Sequence, residues 1–168
     1  MHSYTCKGII LNTSILFEKD RRIEVFTQEF GKRDFIIKGD FQSSKFSGCD
    51  ISSYISIIAQ RKASIHFVKS IDFIEHYFKL RSNPKSLSLA LQCITLLRKS
   101  TEPEQINQLL FNLLEKTLES LEKERAFPDK FHEKVSHEFQ ISFLKHEGIS
   151  DKDRTFQAIF EKYTDKTL

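Results

Sequence analysis

The sequence predicts an α+β protein: an N-terminal five-stranded barrel over residues 1–72 followed by an all-helical domain over 73–168. Two observations carry this. Up to about Asp72 the apolar residues alternate or gather in short β-branched runs, the pattern of strands. Beyond it they recur at three- and four-residue spacing, the pattern of helices packed along one face. With 168 residues, 39% of them apolar, the chain can bury a core in one or two small domains.

The first strand contains Gly8-Ile9-Ile10-Leu11, the second Ile23-Glu24-Val25-Phe26-Thr27, and the third Phe35-Ile36-Ile37. Glu29-Phe30-Gly31-Lys32 joins the second to the third, and Gly31 can adopt the positive φ of a tight turn at little cost. Two more strands are expected at Ile51 to Ala59 and Ala63 to Val68, joined by the charged connection Gln60-Arg61-Lys62. Closing five short strands into a barrel removes the exposed edges that an open sheet would offer to other chains.

Asn83-Pro84 reads as an N-cap followed by proline at the first helical position, with Leu87, Leu91, Ile94 and Leu97 as the apolar stripe. Thr101-Glu102-Pro103-Glu104 has the form of a capping box. A helix carrying Ile106, Leu109, Leu110, Leu113, Leu114, Leu118 and Leu121 is expected after it. Phe131, Val135, Phe139 and Phe143 repeat every four residues up to Gly148, a C-terminal stop, and Ser150 would cap a last helix with Phe156, Ile159, Phe160 and Tyr163. No internal repeat or low-complexity linker occurs.

The net charge is +3, unevenly distributed. Through Ser70 there are eleven basic against seven acidic residues (+4), which leaves fifteen against sixteen (−1) for the remainder. The positive excess belongs to the strand half, where an anionic partner would be drawn. No run approaches the ~20 apolar residues of a membrane-spanning helix, and Met1-His2-Ser3-Tyr4 does not open a secretory signal, so a cytoplasmic protein without membrane contact is expected. Cys6, Cys49 and Cys93 stand far apart and are odd in number; they fit reduced structural thiols rather than a disulfide framework or a four-cysteine zinc site.

Residue patterns for catalysis are lacking. The six histidines form no HExxH or paired-ligand motif, and His132 and His137, five apart, face different sides of a helix. There is no nucleophile elbow, phosphate-binding glycine loop or dinucleotide fingerprint. Glu18 and Asp20 lie in the charged loop Glu18-Lys19-Asp20-Arg21-Arg22, where solvation or local ion pairing is their simplest role. The chain therefore reads as a non-enzyme with no metal or cofactor.

A binding role is left, and the basic half is its place. Lys7, Arg21, Arg22, Lys32, Arg33, Lys38, Lys45, Arg61, Lys62 and Lys69 lie on or beside strands that also carry Phe26, Phe35, Tyr54 and Phe67. Cations neutralise phosphates while bases stack on exposed rings, at ~1–3 kcal/mol per base. Aromatic residues that instead fill the core would leave the cations as ordinary surface charge.

The order of these residues adds information. Gly8-Ile9-Ile10-Leu11, then Glu18 and Asp20, then Val25-Phe26-Thr27-Gln28-Glu29-Phe30-Gly31-Lys32, then Ile36-Ile37-Lys38-Gly39, resembles the opening of the recombination mediator RecO family. In that family a strand ending in Val-Leu leads to a loop with Glu and Asp, a Phe-Thr strand, a Gly-Lys turn and a Lys-Gly ending. The resemblance covers about thirty residues and thins in the helices, where Phe139 to Gly148 is loosely like the family's leucine-rich helix. It implies an oligonucleotide-binding (OB-fold) barrel followed by a helical domain.

Three departures stand out. Cys93 is the only cysteine beyond residue 49, so the four-cysteine zinc module of many members is absent from this sequence. Where many members continue with a basic run, this chain has Lys38-Gly39-Asp40-Phe41-Gln42-Ser43-Ser44-Lys45, and Asp40 and Gln42 in place of cations should lower affinity and salt dependence. The sequence is also shorter than a typical member.

The resemblance implies a non-enzymatic mediator of DNA repair and recombination, cytoplasmic and nucleoid-associated. Such a protein binds single- and double-stranded DNA, anneals complementary strands, engages the tail of single-stranded-DNA-binding protein, and acts with a RecR-like protein to load RecA. Lys32, Arg33 and Lys38 fall within the matched segment as candidate DNA contacts. Arg21, Arg22, Lys45, Arg61 and Lys62 join them on charge alone, and Arg98 and Lys99 are candidates for the rim of a groove that takes the tail peptide. The alternative is a protein-interaction scaffold with a similar barrel and little direct DNA binding, favoured by Asp40 and the near-neutral helical half.

Overall fold

A computed structural model describes residues 3–17, 19–39, 49–123 and 129–148. The chain divides into two compact units, one of Met1–His76 with Glu102–Asn107, the other of Tyr77–Thr101 and the chain from Gln108 onward.

The first unit is the barrel. Its strands are β1 (Ser3–Ile15), β2 (Arg21–Thr27), β3 (Gly31–Ile37), β4 (Tyr54–Lys62) and β5 (Ile65–Glu75), closed in the order β1-β2-β3-β5-β4. β1 is long enough to serve two neighbours: Ser3–Ile9 pairs with β4 and Gly8–Ile15 with β2, both antiparallel. A register shift between Ile10 and Asn12 bends the strand where one partner gives way to the other. β3 meets β5 in parallel at Ile36 and Phe67, which completes the closure.

Alternation fills the interior. Ile10, Ile23, Val25, Phe35, Ile37, Ile55, Ile57, Ala59 and Val68 form one buried cluster, and each fully buried Val, Ile or Phe contributes ~1.5–3 kcal/mol. The β2–β3 hairpin turns as the sequence predicts, with Gly31 at φ 69°. Thr27 fastens it: its hydroxyl donates to the Gly31 carbonyl at 2.8 Å and accepts from the Phe30 amide at 3.1 Å.

The second unit contains α1 (Phe78–Ser82), α2 (Pro84–Ser100), α3 (Gln108–Lys123) and α4 (Asp129–His146). Asn83 caps α2 as expected, its side chain accepting from the Lys85 and Ser86 amides at 3.0 and 3.1 Å. The short α1 has no periodic signature in the sequence. Glu122 on α3 stabilises it by accepting from the Lys79 and Leu80 amides.

Four expectations are corrected. β5 runs on to Glu75, past the boundary at residue 72, and Glu102–Asn107 returns to the barrel unit. The connection between β4 and β5 is Ala63-Ser64, with Ala63 at φ 54°, while Gln60, Arg61 and Lys62 are still paired. α2 buries Leu89, Ala90, Cys93, Ile94, Leu96 and Leu97, leaving Leu91 exposed, so its apolar face is turned from the expected stripe. Thr101 is no N-cap: its hydroxyl donates to the Leu97 carbonyl at 2.7 Å and ends α2. The Glu104 amide donates instead to the Lys32 carbonyl at 2.9 Å, so α3 starts only at Gln108, and Ile106 and Leu109 stay exposed. The expected helix from Ser150, with Phe156 to Tyr163, lies outside the described residues.

Candidate nucleic-acid interface

Successive residues of a strand face opposite sides, and β3 sorts its charges by this rule. Lys32, Asp34 and Ile36 share the outer side, whereas Arg33 shares the inner side with Phe35 and Ile37. Arg33 is therefore engaged inside the fold. Its guanidinium lies 4.5 Å from the Phe30 ring centroid and 5.9 Å from that of Tyr4, and pairs with Glu104 at 3.1 Å. Only 14% of its side chain is exposed. Tyr4 Oη lies 2.6 Å from His66 Nδ1 in the same group. Burial, reinforced by the charges of Arg33 and Arg61, holds the His66 imidazole below its ordinary value of 6.5.

The outer side is different. Phe67, half-buried on β5, lies near two ammonium groups, Lys38 Nζ at 5.6 Å and Lys62 Nζ at 5.8 Å from its ring centroid. Lys38 also pairs with Asp20 at 2.6 Å, and Arg22 with Asp34 at 2.7 Å. Lys38 and the Gly39 amide hold the Asp20 carboxyl below its ordinary range. Both ion pairs are solvent-exposed, and pairs of that kind exchange readily for another anion. Asp20 thus has the local pairing role read from its loop, and Glu18 lies outside the described residues.

The β1–β2 connection adds a ring that charge counting missed. Phe17 is 87% exposed, on a turn closed by the Asp20 amide donating to the Phe17 carbonyl at 2.9 Å. Its only trace in the sequence is an aromatic residue directly before a charged loop. Phe26 and Phe35 are fully buried, so neither can stack with a base.

The other candidates fall in several places. Arg21 is exposed at the start of β2; Arg61 donates through Nε to the Ala63 carbonyl at 2.8 Å and braces the β4–β5 turn. Lys45 lies outside the described residues. Arg98 and Lys99 occupy the last turn of α2, where cations complement the helix dipole. The groove between α2 and α4, about 480 Å³, lies at the other end of α2, beside Lys85, Leu89, Gln92 and His132.

Among the described residues no three His, Cys, Asp or Glu side chains are grouped to hold a metal ion, and no helix is long and apolar enough to cross a membrane. Burial pushes the Cys6 thiol up to about 12, Cys49 up to about 11, and Cys93 upward as well, which leaves little thiolate to act as nucleophile.

A closed barrel in this strand order, with cations and a ring on the β2–β3–β5 face and an exposed ring in the β1–β2 loop, defines an OB-fold module; such folds take oligonucleotides on this face and these loops. Residues 1–77 match the family model for the N-terminal part of recombination protein O. Along most of its length the chain is similar to proteins named DNA repair protein RecO. It is 28% identical to that of Alkaliphilus metalliredigens (strain QYMF) over 85% of this chain and 57% of the relative. It is 26% identical to that of Desulfatibacillum aliphaticivorans (89% and 58%), and 22% to that of Streptococcus gordonii (89% and 56%). The N-terminal part of the chain is thus similar to the RecO family, and the chain spans a little over half the length of these curated relatives.

Proposed function

We propose that the chain is a non-enzymatic mediator of DNA repair and recombination that binds single- and double-stranded DNA through its barrel and anneals complementary strands. The observation that carries this reading is the Phe67 ring with Lys38 and Lys62 beside it, on the face OB-folds use for oligonucleotides. A base stacks on the ring, the ammonium groups take the flanking phosphates, and Phe17 offers a second ring. Cations that lower the repulsion between two backbones let complementary bases meet, and annealing needs no bond-making group.

The similarity to RecO proteins supports a wider role: action with a RecR-like protein, contact with the acidic, apolar tail of single-stranded-DNA-binding protein, and loading of RecA. The groove between α2 and α4, with Leu89 in its lining and Lys85 and Glu133 beside it, is a second candidate place for that tail besides Arg98 and Lys99.

Annealing of two complementary oligonucleotides labelled with a fluorophore and a quencher tests the proposal. Purified protein is expected to accelerate quenching without a nucleotide cofactor, and Lys38→Gln with Lys62→Gln to remove most of the acceleration. No acceleration by the wild-type chain would overturn the annealing role. The scaffold reading rests on the ion pairing of Arg22 and Lys38, and calls for protein partners in place of DNA.

A further inference from the structure

Two large apolar side chains stand in solvent where β1 runs into the loop before β2. Ile15, the last residue of β1, is 74% exposed, and Phe17, two residues on, is 87% exposed. The chain that carries them is fixed at several points. The Leu16 amide donates to the Asp20 carbonyl at 2.8 Å, and the Asp20 amide to the Phe17 carbonyl at 2.9 Å. The Asp20 carboxylate accepts from Lys38 Nζ at 2.6 Å and from the Gly39 amide at 2.9 Å, which ties the turn to the chain just beyond β3. Gly39 lies so close to the Lys19 main chain that a β-carbon there would collide with it. Braced in this way, the turn holds the Phe17 ring out in solvent.

Lys38, which holds Asp20, is also one of the two ammonium groups near the Phe67 ring. A strand with a base on Phe67 that leaves by the Lys38 side therefore meets this turn. The two rings differ in what they can receive. Phe67 is half-buried and offers room for one base. Ile15 and Phe17 lie ~7 Å apart along an extended chain, an apolar surface wider than one base. Arg21, the cross-strand partner of Ile15, and Lys19 are exposed beside it. A flat apolar face of that breadth with negative charge at its rim is the end of a double helix, where the last base pair is open to stacking and both backbones carry phosphates.

We propose that the Ile15–Phe17 turn caps the end of a duplex where it meets a single strand: Phe17 stacks on the terminal base pair, Ile15 covers its edge, and Arg21 and Lys19 hold the phosphates. This inference rests on the DNA-binding reading above and deepens it, naming the junction between single and double strand as the preferred substrate. During annealing the cap keeps the first base pairs of a new duplex from fraying while the rest close.

Two measurements on the intact chain test it. In anisotropy titrations, Phe17→Ala is expected to weaken binding of a duplex with a single-stranded tail roughly tenfold, ~1.4 kcal/mol or one stacking contact. Its binding of an oligothymidylate should change less than about twofold, within the range expected of an exposed side chain. Phe17→Trp, which keeps a ring, should restore the tailed duplex. In the second measurement, 2-aminopurine in the terminal pair beside the tail is expected to dim on binding, as stacking is completed, and the same probe in the middle of the duplex to stay unchanged. Equal losses on both DNAs would make Phe17 a stacking ring for single bases and overturn the cap while leaving DNA binding intact. A brighter terminal probe would mean that the ring parts the pair, which also overturns it. Phe17-dependent binding to phosphatidylglycerol vesicles, with no effect of Phe17→Ala on the tailed duplex, would make the turn a lipid contact instead. A parent chain that binds neither DNA overturns the DNA-binding reading and the cap with it.

Discussion

Lys32 and Arg33 are neighbours in sequence and point to opposite sides of β3, Lys32 outward with Asp34 and Arg33 inward against Phe30 and Glu104. Their substitutions should therefore separate. Arg33→Ala removes the packed stem and the cation–π contact and is expected to cost about 1–2 kcal/mol, read as a lower Tm at about 2–4 °C per kcal/mol. Lys32→Ala should stay within about 0.5 kcal/mol of the parent. Thermal unfolding of the two variants is the check; equal losses would contradict the assignment of faces.

Gly31 is fixed by its own conformation and by a neighbour. At φ 69° a β-carbon is strained, and it would run into the Gln105 backbone of the returning segment. Gly31→Ala is expected to destabilise the barrel unit by ~1–2 kcal/mol from the left-handed backbone alone, with a further loss from the contact. Unfolding in urea should show a lower midpoint, and hydrogen exchange should quicken at Glu104, whose amide donates to Lys32.

The His66 imidazole, nearly buried beside Tyr4, Arg33 and Arg61, resists protonation in the fold more than in the unfolded chain. The unfolded state then binds the proton first, so this contribution to stability is present above the ordinary value of 6.5 and is lost as pH falls toward the depressed one. Tm should fall through that window. His66→Gln should flatten the fall, and an unchanged profile would assign the acid sensitivity elsewhere.

Cys6, Cys49 and Cys93 are buried thiols with raised pKa values. Native protein is expected to react slowly with a thiol reagent at neutral pH and to release its full thiol count only on unfolding. A fast-reacting cysteine in the native state would contradict this burial.

The strands are legible in the sequence because alternation is written locally: the spacing of Ile23, Val25 and Phe35 is by itself enough to mark an inner face. The same rule, applied to Lys32 and Arg33, shows that only one of them can face outward. The capping-box motif at Thr101 misleads for a physical reason. Its hydroxyl is taken by Leu97 and the Glu104 amide by Lys32, partners that local spacing does not reveal. The Lys38–Phe67–Lys62 group depends on the parallel meeting of Ile36 with Phe67, a closure between distant segments that no sequence period encodes.

The most direct measurement is the salt dependence of binding to a labelled single-stranded oligonucleotide, followed by fluorescence anisotropy for the parent and for the Lys38→Gln, Lys62→Gln double variant. The account expects log Kobs to fall linearly with log salt, and the double variant to lose about 1.4 from the slope, ~0.7 for each phosphate contact removed. A parent chain that fails to bind at low salt, or a double variant with the parent's slope, would contradict it.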